Sequence, residues 1–139
     1  MNRDLNNVEL GRHGRSRSNV WHYAGVNTFR AGRLDELKCH PTVKPVALVA
    51  DAIKDCTRRC DIVLDTFCGS GTTILAAERV GRRAYTLEIE PRLVDVAIHR
   101  WQAFSRKDAI NVDSGLSFDE LAGKRNATIG TYQATTETR

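Results

Sequence analysis

At 139 residues the chain has room for one domain and not for two. An apolar content of 41% with only 6% aromatics permits a core of modest size, and a formal charge of +4 favours an anionic partner. No run of 18 apolar residues exists and "MNRDLNNVELGR" has no apolar h-region, so neither a membrane span nor a signal peptide is expected, and the expected location is cytoplasmic.

Three zones follow one another. Residues 1–38 are polar and basic, with Arg12, Arg15, Arg17, Arg30 and Arg33 and no acid between Leu10 and Leu34. Within them Val20 to Tyr23 has strand character. Residues 39–104 are periodic and core-forming. "HPTVKP" is extended, because a residue before proline is pushed out of the helical region. Pro45 then suits the first turn of a helix in which Val46, Val49, Ala52, Ile53 and Cys56 recur at helical spacing. "DIVLD" is a continuous apolar run and predicts a buried parallel strand. Thr72 to Val80 predicts a helix stopped by Gly81. "RAYTLEI" predicts a second strand. Pro91 opens a third helix with Leu93, Val94, Ala97, Ile98, Trp101 and Phe104 on one face. Residues 105–139 are polar, with a short helix at "SFDELAGKR" and a frayed end. The order helix, strand, helix, strand, helix is a piece of a doubly wound α/β sheet.

Cys39, Cys56, Cys60 and Cys68 form no CxxC pair, and no second ligand pair has zinc-like spacing. No metal site is expected, and the cysteines read as free thiols in a reducing compartment.

In such sheets ligands bind beyond the carboxyl ends of the strands, where "DTFCGSGTT" lies. Gly69 and Gly71 allow positive φ and close backbone approach. Glu88 ends "AYTLE", 19 residues after Gly69, where a nucleotide-binding sheet places an acid for ribose hydroxyls. The loop has no lysine after Gly71, which excludes a P-loop, and Ile74 holds the third glycine position of a dinucleotide fingerprint. Asp65 stands where the strand enters the loop, a poor neighbour for pyrophosphate and a good one for an ammonium group. S-adenosylmethionine carries adenosine at one end and an amino acid at the other, without phosphate, and fits that set. The alternative for Asp65 is simple capping of the turn. Phe67 has an alternative place in the core, and His40 a structural one. Cys68 beside the loop has no neighbour that marks it as a nucleophile.

"HPTVKP", "VLDTFCGSGTTILAAERVGRRAY" and "LEIEPRLVDVAIHRW" resemble, in order, three motifs of the bacterial DNA amino-methyltransferases, which methylate adenine N6 or cytosine N4. The order resembles the permuted subgroup with the cofactor motifs last. The resemblance implies an incomplete Rossmann-like fold, S-adenosylmethionine as cofactor and double-stranded DNA as partner. It places His40, Thr42, Lys44 and Pro45 over the methionine end, with Lys44 offered to its carboxylate. It places Asp65, Phe67, Gly69, Ser70, Gly71 and Thr72 in the glycine loop and Glu88 at the ribose. Thr66 stands where the family has proline and Glu90 where it has aspartate. Neither change removes a contacting group. Arg12, Arg15 and Arg17 read equally as a solvated basic face or as a grip on DNA phosphates.

The family's chemistry also needs a Pro-Pro-aromatic loop that aims the target amine and stacks on the flipped base. Pro41, Pro45 and Pro91 are the only prolines and none adjoins another, so the chain has no catalytic residue of that kind. The expectation is a C-terminal part of such an enzyme. Residues 1–38 would then be a remnant of the catalytic and DNA-contacting half and residues 39–104 the cofactor unit, the whole being a truncated gene product, part of a split gene, or a chain that works with a separate chain supplying the missing loop. A non-catalytic DNA-binding or assembly remnant is the alternative. Two strands alone leave an apolar edge exposed, and the isolated chain is expected to be poorly soluble.

Overall fold

The computed structural model describes residues 20–23 and 43–125. Arg12, Arg15, Arg17, Cys39, His40 and Thr42 lie outside the described residues. The elements run α1 (Val46–Cys56), β1 (Ile62–Asp65), α2 (Thr72–Val80), β2 (Arg83–Thr86) and α3 (Pro91–Ser105), in the order the sequence predicts.

α1 forms because Val46, Val49, Ala50 and Ile53 fall on one stripe, and it buries Ala50 and Ile53. Pro45 sits at the N-cap with ψ of 126°, one position earlier than the first-turn place expected of it. The partner stripe on α2 is Ala76 and Ala77, whose small side chains let the two helices approach closely. Val63 of β1 and Ala84 of β2 close this core from below. Among the described residues no large side chain is fully buried, so the core is thin.

β1 and β2 pair in parallel, with Ile62 opposite Arg83 and Asp65 opposite Thr86. Side chains alternate across the pleat. Val63, Asp65, Ala84 and Thr86 face the helices, whereas Ile62, Leu64 and Tyr85 are exposed on the other face, Leu64 by 69%. α1 and α2 cover one side of this sheet, and α3 packs on α2 rather than on the bare side. β1 is therefore not buried on both faces as its unbroken apolar run predicts. "RAYTLEI" is also shorter as a strand than expected. The ladder ends at Thr86, and Leu87 and Ile89 stand in solvent beyond it.

Gly81 ends α2 in the left-handed conformation (φ 73°), its N–H reaching the Ala77 and Glu78 carbonyls, as its position implies. Pro91 and the Glu90 side chain, which accepts from Arg92 N at 3.3 Å, start α3. Phe104 is exposed and not core.

A further expectation changes. Val20 to Tyr23 is not a strand. Instead Tyr23 donates its hydroxyl to Asp51 of α1, with Trp21 tilted against its ring. α1 stops at Cys56, and Cys60 lies in the following turn at φ 69°.

Residues 106–125 double back onto α3. Ala109 N bonds Gln102 Oε1 at 2.8 Å, and Ile110 forms an antiparallel bridge with Ser117. The short helix expected at "SFDELAGKR" is present over residues 118–125. Ser117 and Glu120 start it by capping one another: Glu120 N donates to Ser117 Oγ at 3.3 Å and Ser117 N to Glu120 Oε2 at 2.8 Å. Phe118 meets His99 edge-on at 4.9 Å.

The α1–β1 and α2–β2 turns are locked together by Arg82. Its Nη2 donates to Thr57 O at 2.8 Å and its Nε to Thr57 Oγ1 at 3.1 Å, and Nη1 reaches the Val80 carbonyl. Arg82→Ala removes all three charge-assisted bonds. The expected loss is about 1.5–3 kcal/mol, read as a fall of roughly 5–15 °C in the midpoint of far-ultraviolet ellipticity. An unchanged midpoint contradicts the lock.

Candidate functional site

β1 and β2 end side by side, and the chain leaving each is tied to the other. Leu87 N donates to Asp65 O at 3.0 Å and Cys68 N to Leu87 O at 3.0 Å. The glycine loop thus lies across the carboxyl end of the sheet. Gly69 (φ 57°) and Gly71 (φ 81°) both take left-handed conformations, which a glycine adopts without strain. A Cβ on Gly71 would come within 2.7 Å of Ala97 Cβ. The close approach that Gly71 permits is therefore to α3, a packing role that the motif alone does not distinguish from approach to a ligand.

Two carboxylates flank the loop. Glu88 Oε2 accepts from Gly69 N at 2.7 Å and its Oε1 from Glu90 N at 3.0 Å. Asp65 Oδ1 accepts from Phe67 N at 3.0 Å and its Oδ2 from the Thr73 hydroxyl at 2.6 Å. Asp65 does cap the turn. A carboxylate offers about four acceptor sites, so these bonds leave capacity on Asp65 for the donors of a ligand.

The remaining loop residues divide by role. Ser70 and Thr72 are buried, and Ser70 Oγ takes a bond from Arg100 Nη1 of α3 at 2.9 Å. Both are packed within the loop. Phe67 is 89% exposed, which removes its core alternative, and Ile89 is 97% exposed on the other side of the acids. Lys44 and Pro45 lead into α1. Thr73, Ile89 and Arg100 were not foreseen. An apolar residue between Glu88 and Pro91, outside any helix stripe, was the available signal for Ile89. Thr73 and Arg100 carry no such signal, since their partners are set by the packing of α2 and α3.

Beside Glu88 opens a cavity of about 760 Å³, walled by Val94 and Ile98 of α3 and by Ile110 and Val112 of the returning segment, with Asp95 and Asn111 on its rim. That volume is in the range of small-molecule sites.

Cys68 is buried under the loop. Burial pushes its thiol above the ordinary value of 9.0, and the Asp65 and Glu88 carboxylates add to the rise against hydrogen bonds from Thr86 and Gly71. A raised value leaves less thiolate at neutral pH, and the thiolate is the nucleophile. Peptide-level alkylation at neutral pH should label the exposed Cys56 and Cys60 well before Cys68. Labelling of Cys68 first contradicts this environment.

Among the described residues no helix is long and apolar enough to cross a membrane.

The fold is α/β, a parallel β–α–β unit with a glycine loop between an acid that ends β1 and an acid two residues beyond β2. The DNA methylase family model for N6/N4 methyltransferases matches residues 2–99, and the chain belongs to that family. It is 33% identical over 90 residues to the type II methyltransferase M.ScaI of Streptomyces caespitosus, covering 65% of this chain and 30% of that protein. It is 34% identical over 110 residues to the DNA adenine methyltransferase YhdJ of Escherichia coli K12, covering 79% of this chain and 33% of that protein. The crystal structure of an M1.HpyAVI–SAM complex matches with 33% identity and a TM-score of 0.45, over 61% of this chain and 42% of that one. The chain spans about a third of the length of the curated relatives it matches.

Proposed function

We propose that these residues form the S-adenosylmethionine-binding part of a DNA methyltransferase acting on an exocyclic base amine of double-stranded DNA, adenine N6 in particular. The observation that carries the reading is the pair of carboxylates at the ends of adjacent parallel strands, with the glycine loop pinned between them by the bond from Gly69 N to Glu88. Two acids at the mouth suit a ligand with an ammonium group and ribose hydroxyls and repel pyrophosphate. The adenine target follows the similarity to YhdJ.

In this reading Asp65 takes the ammonium and Glu88 the ribose hydroxyls. Phe67 and Ile89 supply apolar surface for the adenosyl part, and the cavity beside Glu88 gives its ring room. Lys44, with His40 and Thr42 from the preceding segment, covers the carboxylate end. Bound there, the cofactor supplies a methyl group on a sulfonium. The chain holds it in place and leaves aiming of the base amine to a Pro-Pro-aromatic loop on polypeptide outside these residues. That polypeptide also has a surface to meet, since Ile62, Leu64 and Tyr85 are exposed on the sheet face that no described helix covers.

Thermal shift separates the reading from a dinucleotide site. S-adenosylmethionine should raise the melting midpoint and NAD should not. A shift with NAD alone, or with neither, rejects it.

A further inference from the structure

At the end of the sheet opposite the glycine loop the fold assembles a second charged surface. α1 ends at Cys56 and α2 at Val80, and each is followed by an arginine pair, Arg58-Arg59 and Arg82-Arg83. The parallel register brings these pairs together. Ile62 faces Arg83, Arg83 N bonds Asp61 O at 2.9 Å and Cys60 N bonds Gly81 O at 2.8 Å. The Arg59 guanidinium lies over Gly81, 3.1 Å from where a Cβ would stand. Arg79 joins them from the last turn of α2.

Arg82 is committed to the lock described above. Arg58, Arg59, Arg79 and Arg83 are exposed. Among the described residues none of the four is paired with an acid, although both described lysine pairs are made, Lys54 with Asp51 and Lys107 with Glu78. Two acids at this end hold other donors. Asp61 accepts from Arg58 N at 2.8 Å, and Glu78 holds Lys107 and Trp101. Four planar guanidinium groups on a rim made rigid by Arg82 suit phosphate oxygens, which arginine binds through two parallel N–H bonds.

We infer that this rim is a second, sequence-independent contact surface for the phosphate backbone of duplex DNA, separate from the cofactor end of the sheet. The rim's preference for anions stands on its own geometry. The choice of duplex DNA rests on the proposed substrate. A purely structural account is also available, in which the arginines offset the partial negative charge at the two helix C-termini. The two accounts differ in salt dependence.

The test measures binding of the full chain to a short duplex of arbitrary sequence by fluorescence anisotropy, over a series of salt concentrations. The fourfold variant R58A/R59A/R79A/R83A should bind about tenfold or more weakly at low salt. The slope of log K against log salt should flatten by about 3.6, at roughly 0.9 for each of the four phosphates no longer neutralised. The lysine variant R58K/R59K/R79K/R83K should keep most of the slope, and R58Q/R83Q should lose about half as much. A flattening in the two-site variant guards against a fourfold variant that does not fold. S-adenosylmethionine affinity should stay at the parent value, so a failed cofactor site and a failed rim give different results. The inference is overturned if the slope is unchanged in the two-site variant. It is overturned equally if the variants lose only melting temperature, if only retention on heparin falls, or if R12A/R15A/R17A carries the whole salt-dependent loss.

Discussion

Gly71→Ala should destabilise the protein more than any other single glycine substitution among the described residues. Two independent costs meet at that position. The backbone sits at φ 81°, where an L side chain costs about 1–2 kcal/mol. The new methyl would also stand 2.7 Å from Ala97 Cβ and 3.0 Å from Ala97 Cα, and α3 must move to admit it. Overpacking of this kind costs a further ~1–3 kcal/mol. A thin core has little to set against that. Gly115 and Gly123 separate the two costs. Gly115 shares the positive φ (69°) but has nothing within 4 Å, and Gly123 has neither constraint. The expected order of melting midpoints is Gly123→Ala at or above the parent, Gly115→Ala below it and Gly71→Ala lowest. Equal losses at Gly71 and Gly115 contradict the packing role of Gly71.

Asp65→Ala should weaken S-adenosylmethionine at least about tenfold, from the 1.5–3 kcal/mol of a charge-assisted bond. The substitution also frees Phe67 N and the Thr73 hydroxyl, so part of the loss is loosening of the loop. Thr73→Ala isolates that part. It removes one bond to Asp65 and leaves the carboxylate, and calorimetry should show only a small change. If Thr73→Ala weakens the cofactor as much as Asp65→Ala does, the acid acts only as a cap.

The elements were legible where local chemistry decides them. Pro91, Gly81 and the apolar spacing of Val46 to Ile53 each mark a boundary or a face that the chain adopts. The environment of β1 was not legible. "DIVL" reads as buried on both sides, yet Ile62 and Leu64 face solvent, because burial depends on partners that a run of four residues does not name. Residues 106–125 show the converse. The short helix at "SFDELAGKR" was readable in the sequence, but packing of Phe118 on His99 and the cavity that results are tertiary facts. The gathering of Asp65, Gly69 and Glu88 at one end of the sheet was legible in their positions along the sequence. The exposure of Phe67 and the close fit of Gly71 against Ala97 required the neighbouring helix.

The reading that Asp65 meets the ammonium end while Glu88 meets the sugar is tested most directly by a pair of ligands differing at one end. 5′-Methylthioadenosine keeps the adenosyl part and lacks the amino acid. By calorimetry, Asp65→Ala should cost S-adenosylmethionine at least about tenfold and methylthioadenosine little, whereas Glu88→Ala should cost both alike. Equal losses for the two ligands on removing Asp65 would contradict the assignment.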